Sequence, residues 1–271
     1  MAGASMKEIK LRIRSVESTM QITKAMQLVA SSKLRGARAR MEASRPYMKV
    51  ARRAVWDIAL HNTGAESHYV IPREIRHRCY IVIAGDRGLA GGYNANVFRL
   101  ASTVEDAEVI PIGKRACERW GKPVVSSEKF PATESARLAN ELCQDFKDGK
   151  FGRLGILYTR YRSMMSQEAT LLWVLPLEKK EKDAENAEAA PVFEPNEQTV
   201  LNAAVPTYVS GLLSACIRES YACEVAARRM AMDSAGKNAQ DMIDKLQLQY
   251  NRARQNSITQ EITEIVAGSG L

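Results

Sequence analysis

Between Met6 and Met41 the core-type positions fall at alternating spacings of four and three: Ile9, Ile13, Val16, Met20, Thr23, Gln27, Ala30, Leu34, Ala37 and Met41. That period is the signature of a left-handed coiled coil. No proline and one glycine, Gly36, interrupt Met6–Arg45, and proline and glycine are the residues that break helices most strongly. One helix is therefore predicted over residues 6–58, roughly 80 Å if unbroken, with Pro46 as a candidate kink. The far end has the same character. Thr207 to Ala267 holds no proline and only Gly211 and Gly236. A short helix is predicted to open at Pro195-Asn196-Glu197, and a second long helix from about 207 to 266, with Pro206 at its first position. Ile243, Leu246, Tyr250, Ala253 and Ser257 form its seam, and Ile258, Ile262 and Ile265 a later apolar stripe. The simplest closure pairs the two helices antiparallel.

The middle changes period. Cys79 to Ala84 is a short apolar run that reads as a buried strand. Val109–Ile112, Leu154–Tyr161 and Glu168–Leu177 read as further strands. Helices are predicted near 95–102 and 114–120 and over Ala132–Lys147, the last with Thr133 as its cap. Strand–helix alternation predicts a small, Rossmann-like α/β sheet with mostly parallel strands. The predicted organisation is a coiled-coil helix over 1–60, an α/β domain over 76–178, a charged linker over 179–195 and a coiled-coil helix over 196–271. The segment 178–190 is charged and low in complexity, as a solvated linker would be.

The chain has 271 residues, enough for one or two domains with a real core. Its formal net charge of +8 is unevenly placed. Residues 6–58 carry thirteen Lys or Arg against Glu8, Glu17, Glu42 and Asp57, whereas residues 207–266 carry seven of each sign. The basic surface belongs to one helix and calls for an acidic partner, protein or nucleic acid. Five scattered cysteines lack zinc spacing and read as reduced, buried thiols. No apolar leader and no run approaching a membrane span stands out, so direct membrane insertion is not expected.

Little in the chain points to catalysis. Gly88-Leu89-Ala90-Gly91-Gly92 follows a strand, but its spacing fits neither a dinucleotide fingerprint nor a P-loop, and a tight strand-to-helix turn built on Gly88, Gly91 and Gly92 accounts for it better. His61, His68 and His77 have no carboxylate motif beside them. No catalytic residue, metal ligand or cofactor is expected. The basic stretch Lys33 to Arg40 could contact phosphates, but it lacks the aromatic interleaving of a nucleic-acid surface. Arg254 and Gln255 could reach carboxylates on surrounding chains, since the guanidinium fork pairs two oxygens at once.

Three stretches carry a resemblance. Ile22-Thr23-Lys24-Ala25-Met26-Gln27-Leu28-Val29-Ala30-Ser31-Ser32-Lys33-Leu34-Arg35, Asp86-Arg87-Gly88-Leu89-Ala90-Gly91-Gly92-Tyr93-Asn94 and Leu246 to Ile262 are similar, in that order, to the signatures of the bacterial gamma subunit of rotary ATP synthases. The resemblance implies a non-catalytic rotor shaft inside a hexamer of alpha and beta subunits. It implies an α/β foot that binds epsilon and the ring of c subunits, at the cytoplasmic face of the plasma membrane. Rotation would then couple ion flow to conformational cycling of the catalytic beta subunits. By position, Met26, Arg252, Arg254, Gln255 and Thr259 match beta-subunit contacts. Lys33 and Arg35 match residues facing acidic beta segments, and Tyr208, Leu212 and Leu213 fall in the stretch that meets the c ring. The short insert with paired cysteines of chloroplast relatives is absent, so their thiol switch is not expected. A basic coiled-coil adaptor for nucleic acid or an acidic protein is the alternative.

Overall fold

In a computed structural model, the described residues are 6–61, 67–70, 75–104, 107–177, 193–194 and 196–270. The charged 178–190 segment lies outside them. The chain divides into two compact units, one formed by its two ends (to Ser31 and from Arg228) and one by Ser32–Ala227. Five helices and four strands appear among the described residues: α1 (Met6–His61), β1 (Arg78–Ile83), α2 (Tyr93–Ala101), β2 (Ala107–Ile112), α3 (Lys114–Trp120), α4 (Ala132–Lys147), β3 (Arg153–Tyr161), β4 (Gln167–Leu175) and α5 (Glu197–Gly268).

The sheet of the second unit has the order β2-β1-β3-β4. β1 pairs parallel with both β2 and β3, and β4 closes the edge antiparallel to β3. Strand side chains alternate between faces, and β1 divides its residues accordingly. Cys79, Ile81 and Ile83 join a core with Val55 of α1, Leu142 and Phe146 of α4 and Leu213 of α5. Tyr80 and Val82 join Val97 of α2 and Leu157 on the other face. Both faces are covered, which is why β1 reads as an unbroken apolar run. Pro111 is accommodated because β2 is an edge strand.

In the first unit α1 and α5 are antiparallel. Gln27 Nε2 donates to Asp233 Oδ1 at 2.8 Å, and a Cβ on Gly236 would lie 3.8 Å from Thr23 Oγ1. Moving back along α1 thus moves forward along α5. Ile9, Thr23, Met232, Ala239, Ile243 and Leu246 are buried, and Ile13, Val16, Met20, Gln27, Tyr250, Ala253 and Ser257 are half-buried. The predicted seam is the observed one.

Three local expectations need correction. The short helix expected to open at 195–197 and the long one expected from about 207 form one continuous α5 from Glu197, with Pro206 inside it. Asn196 Oδ1 accepts from Thr199 N at 2.8 Å, a side-chain cap that starts the helix there. Leu201, Val205, Tyr208 and Val209 then carry one buried face past the proline. Pro46, too, lies inside a helix, as the predicted span 6–58 has it. α4 takes Pro131, not Thr133, as its cap residue, with no side-chain cap bond. Finally, α5 does contain an 18-residue window of mean hydropathy 1.5, long and apolar enough by composition to cross a membrane. The stretch 200–217 holds no Asp, Glu, Lys or Arg. Its apolar character has a local cause, because Leu201, Val205, Val209, Leu213 and Ile217 are buried in the core of the second unit.

Candidate functional site

The glycine-rich turn after β1 is built by two polar side chains. Asp86 Oδ1 accepts from Lys114 N (3.0 Å) and Ser127 N (2.9 Å), and its Oδ2 from Ser126 Oγ (2.5 Å) and Glu128 N (3.1 Å). Burial alone would raise the Asp86 carboxyl, but these bonds hold it below the ordinary aspartate value. Asn94 Oδ1 accepts from Gly85 N at 2.9 Å while its Nδ2 donates to Arg87 O at 3.3 Å, closing the loop on itself. Of the three glycines expected to shape the turn, Gly91 has the left-handed backbone, with φ +56°. Gly88 and Gly92 would meet a Cβ only at ordinary contact distances. Leu89 also adopts φ +59° and leaves its side chain exposed.

Behind this turn α5 supplies partners for sheet and loop. The buried Tyr93 hydroxyl donates to Ser220 O at 3.0 Å. Ser220 Oγ accepts from Thr159 N at 3.1 Å, and Glu219 Oε1 from Tyr161 N at 3.0 Å, so two α5 side chains satisfy β3 amides. Glu128, which the sequence did not single out, links three segments. Its Oε1 accepts from Lys33 Nζ of α1 at 2.8 Å and from Tyr221 of α5 at 2.9 Å. The Lys33 bond, then Tyr221 and the neighbouring charge of Arg87, outweigh burial and hold the Glu128 carboxyl below its ordinary range. A pair separated by 95 residues leaves no periodic trace in a sequence.

The residues matched to partner contacts divide by environment. Arg252, Arg254, Gln255 and Thr259 are exposed on α5 and Met26 is half-buried on α1. Arg35 is exposed, whereas the ammonium of Lys33, equally on the surface, is engaged by Glu128. Tyr208 and Leu213 are 6 % and 0 % exposed, so their side chains serve the core, and Leu212 is the one of that trio with partial exposure. Beyond Ser257 α5 is exposed all round, and Ile258, Ile262, Ile265 and Val266 present an uncovered apolar stripe. On α1, Ile22, Leu28 and Val29 are exposed on the side away from the seam. All five cysteines are free and buried. Burial pushes the Cys79 and Cys143 thiols up to about 12, which keeps them protonated and unreactive.

Long terminal helices paired antiparallel, with an open α/β sheet between them in sequence, place this chain in the class of central-stalk subunits. A family model described as ATP synthase matches residues 5–270. The gamma chain of Ruminococcus albus ATP synthase is 42 % identical over 98 % of both chains. The sodium-ion-specific gamma chain of Acetobacterium woodii is 36 % identical over the same shares. Among solved structures, a chain of the Euglena gracilis mitochondrial ATP synthase (OSCP/F1/c-ring, rotational state 3) superposes with a TM-score of 0.71 at 20 % identity, covering 97 % of this chain and 93 % of that one. The chain belongs to the ATP synthase gamma-chain family.

Proposed function

We propose that this chain is the non-catalytic rotor of an ATP synthase, transmitting ion-driven rotation to the catalytic beta subunits. The observation that carries the reading is the far end of α5. A helix end exposed all round, with an isoleucine stripe and exposed Arg252 and Arg254, is unstable logic for a free protein and fits one enclosed by other chains. Met26, Arg254, Gln255 and Thr259 would meet beta subunits, and Arg35 their acidic segments. Lys33 would do so only by leaving Glu128. The second unit would meet epsilon and the c ring, with Leu212 the most accessible of the residues matched to the ring. The complex would sit at the cytoplasmic face of the bacterial membrane.

Rotation acts through differential binding. An asymmetric surface that binds three beta conformers unequally shifts their populations in turn as it revolves. The partly polar seam of α1 and α5 suits this task, because a shaft needs torsional integrity and weak, changing contacts with its surroundings. Co-expression with alpha and beta chains tests the reading. A complex that hydrolyses ATP and contains this chain is expected, and isolated chain with ATPase activity of its own would contradict the non-catalytic role.

A further inference from the structure

In the second unit, a cavity of about 170 Å³ opens between α1, α5 and the loop leading into α4, and Arg40, Ser127, Glu128, Ala132, Arg218 and Tyr221 line it. Two guanidinium groups therefore border one small space. Among the described residues neither Arg40 nor Arg218 makes an ion pair, and both side chains are exposed at the rim. Arg40 lies over the Tyr221 ring at 6.0 Å, which orients its guanidinium without neutralising its charge. The wall has unmet hydrogen-bonding capacity as well. Ser127 is 4 % exposed and its Oγ has no partner. Ala132, which opens α4, also lines it, and this helix of sixteen residues has no side-chain cap at its start, though Glu134 lies in its first turn. The one carboxylate in the lining, Glu128, is already held by Lys33 and Tyr221. A neighbouring cavity of about 370 Å³ shares Arg218 but has no second charged group in its lining, and Ser44 there already donates to Met41 O.

We propose that the smaller cavity binds a small oxyanion of the phosphate class, clamped between Arg40 and Arg218 beside the start of α4. Guanidinium forks match the oxygens of such an anion in pairs, and an uncapped helix start favours negative charge. The site adjoins Lys33, which holds Glu128 in its lining, and a bound anion would tie α1, α4 and α5 of this unit together as a ligand rather than as a reactant.

Titration of the full chain with inorganic phosphate, at ionic strength held constant with sodium chloride, tests this by calorimetry and by thermal melting. A saturable heat and a rising Tm are expected, with sulfate competing. Arg40→Ala with Arg218→Ala should weaken binding about tenfold or more, whereas Arg12→Ala, which removes a cation from the other unit, should leave it unchanged. Arg218→Lys keeps the charge without the fork and should bind with intermediate strength, a readout independent of the double variant's folding. Absence of saturable binding, or equal binding by all variants, would overturn the proposal and mean an adventitious ion only.

Discussion

Asp86 gathers four hydrogen bonds on one carboxylate. It orders the turn after β1, the start of α3 and the loop 126–128. Replacing it with alanine orphans three amides and a hydroxyl, and Asp86→Ala should lower stability by about 1–3 kcal/mol, read by denaturant unfolding. The pH dependence follows from the depressed carboxyls of Asp86 and Glu128. Their stabilisation is fully present above the ordinary carboxylate values and is lost as pH falls through the lower folded values. Wild-type stability should therefore decline in the acid limb below about pH 4, and Asp86→Asn should flatten that decline. A flat wild-type acid limb would contradict this account. The sequence displayed Asp86 only as part of a turn. Its four partners come from residues 114 and 126–128, and nothing in local spacing announces them.

At the scale of elements, the helix seam was readable because a 4-3 period survives even where Thr23, Gln27 and Ala30 replace branched aliphatics. Each of these positions is buried or half-buried. Strand β1 was readable because burial on both faces leaves no polar alternation. The unbroken run of α5 through Pro206 was not. Pro206 looked like a first helical position, but a cap at Asn196 and a buried face running from Leu201 to Val209 outweighed the missing amide. Nor was it visible that an uncharged stretch of membrane-spanning length belongs to the core of an α/β unit. Within the seam, Gly236 has room. A Cβ there would touch Thr23 Oγ1 at 3.8 Å, ordinary contact. Gly236→Ala should stabilise the helix pair by about 0.5–1 kcal/mol through helix propensity and a less flexible unfolded chain. Gly113→Ala should do the reverse, since φ is +100° and a Cβ would lie 2.0 Å from Ala84 O. Thermal melts of both variants separate the two outcomes.

For the whole molecule, stability and function fall to different residues. Arg254 and Gln255 are exposed and make no contact that folding needs. Arg254→Ala with Gln255→Ala should leave the Tm of the isolated chain within the range of surface substitutions, about 0.5 kcal/mol. The same pair should lower ATP synthesis by the assembled complex more than it lowers ATP hydrolysis by the hexamer. Equal losses in both would place these residues outside the coupling contact. The buried native cysteines offer a practical handle, because a thiol introduced at exposed Val124 would be the accessible one for labelling. With the catalytic hexamer fixed to a surface and a probe on Val124→Cys, addition of ATP should turn the probe in one direction by discrete steps. ATP hydrolysis with the probe stationary, in a complex that retains the chain, would contradict the rotor account.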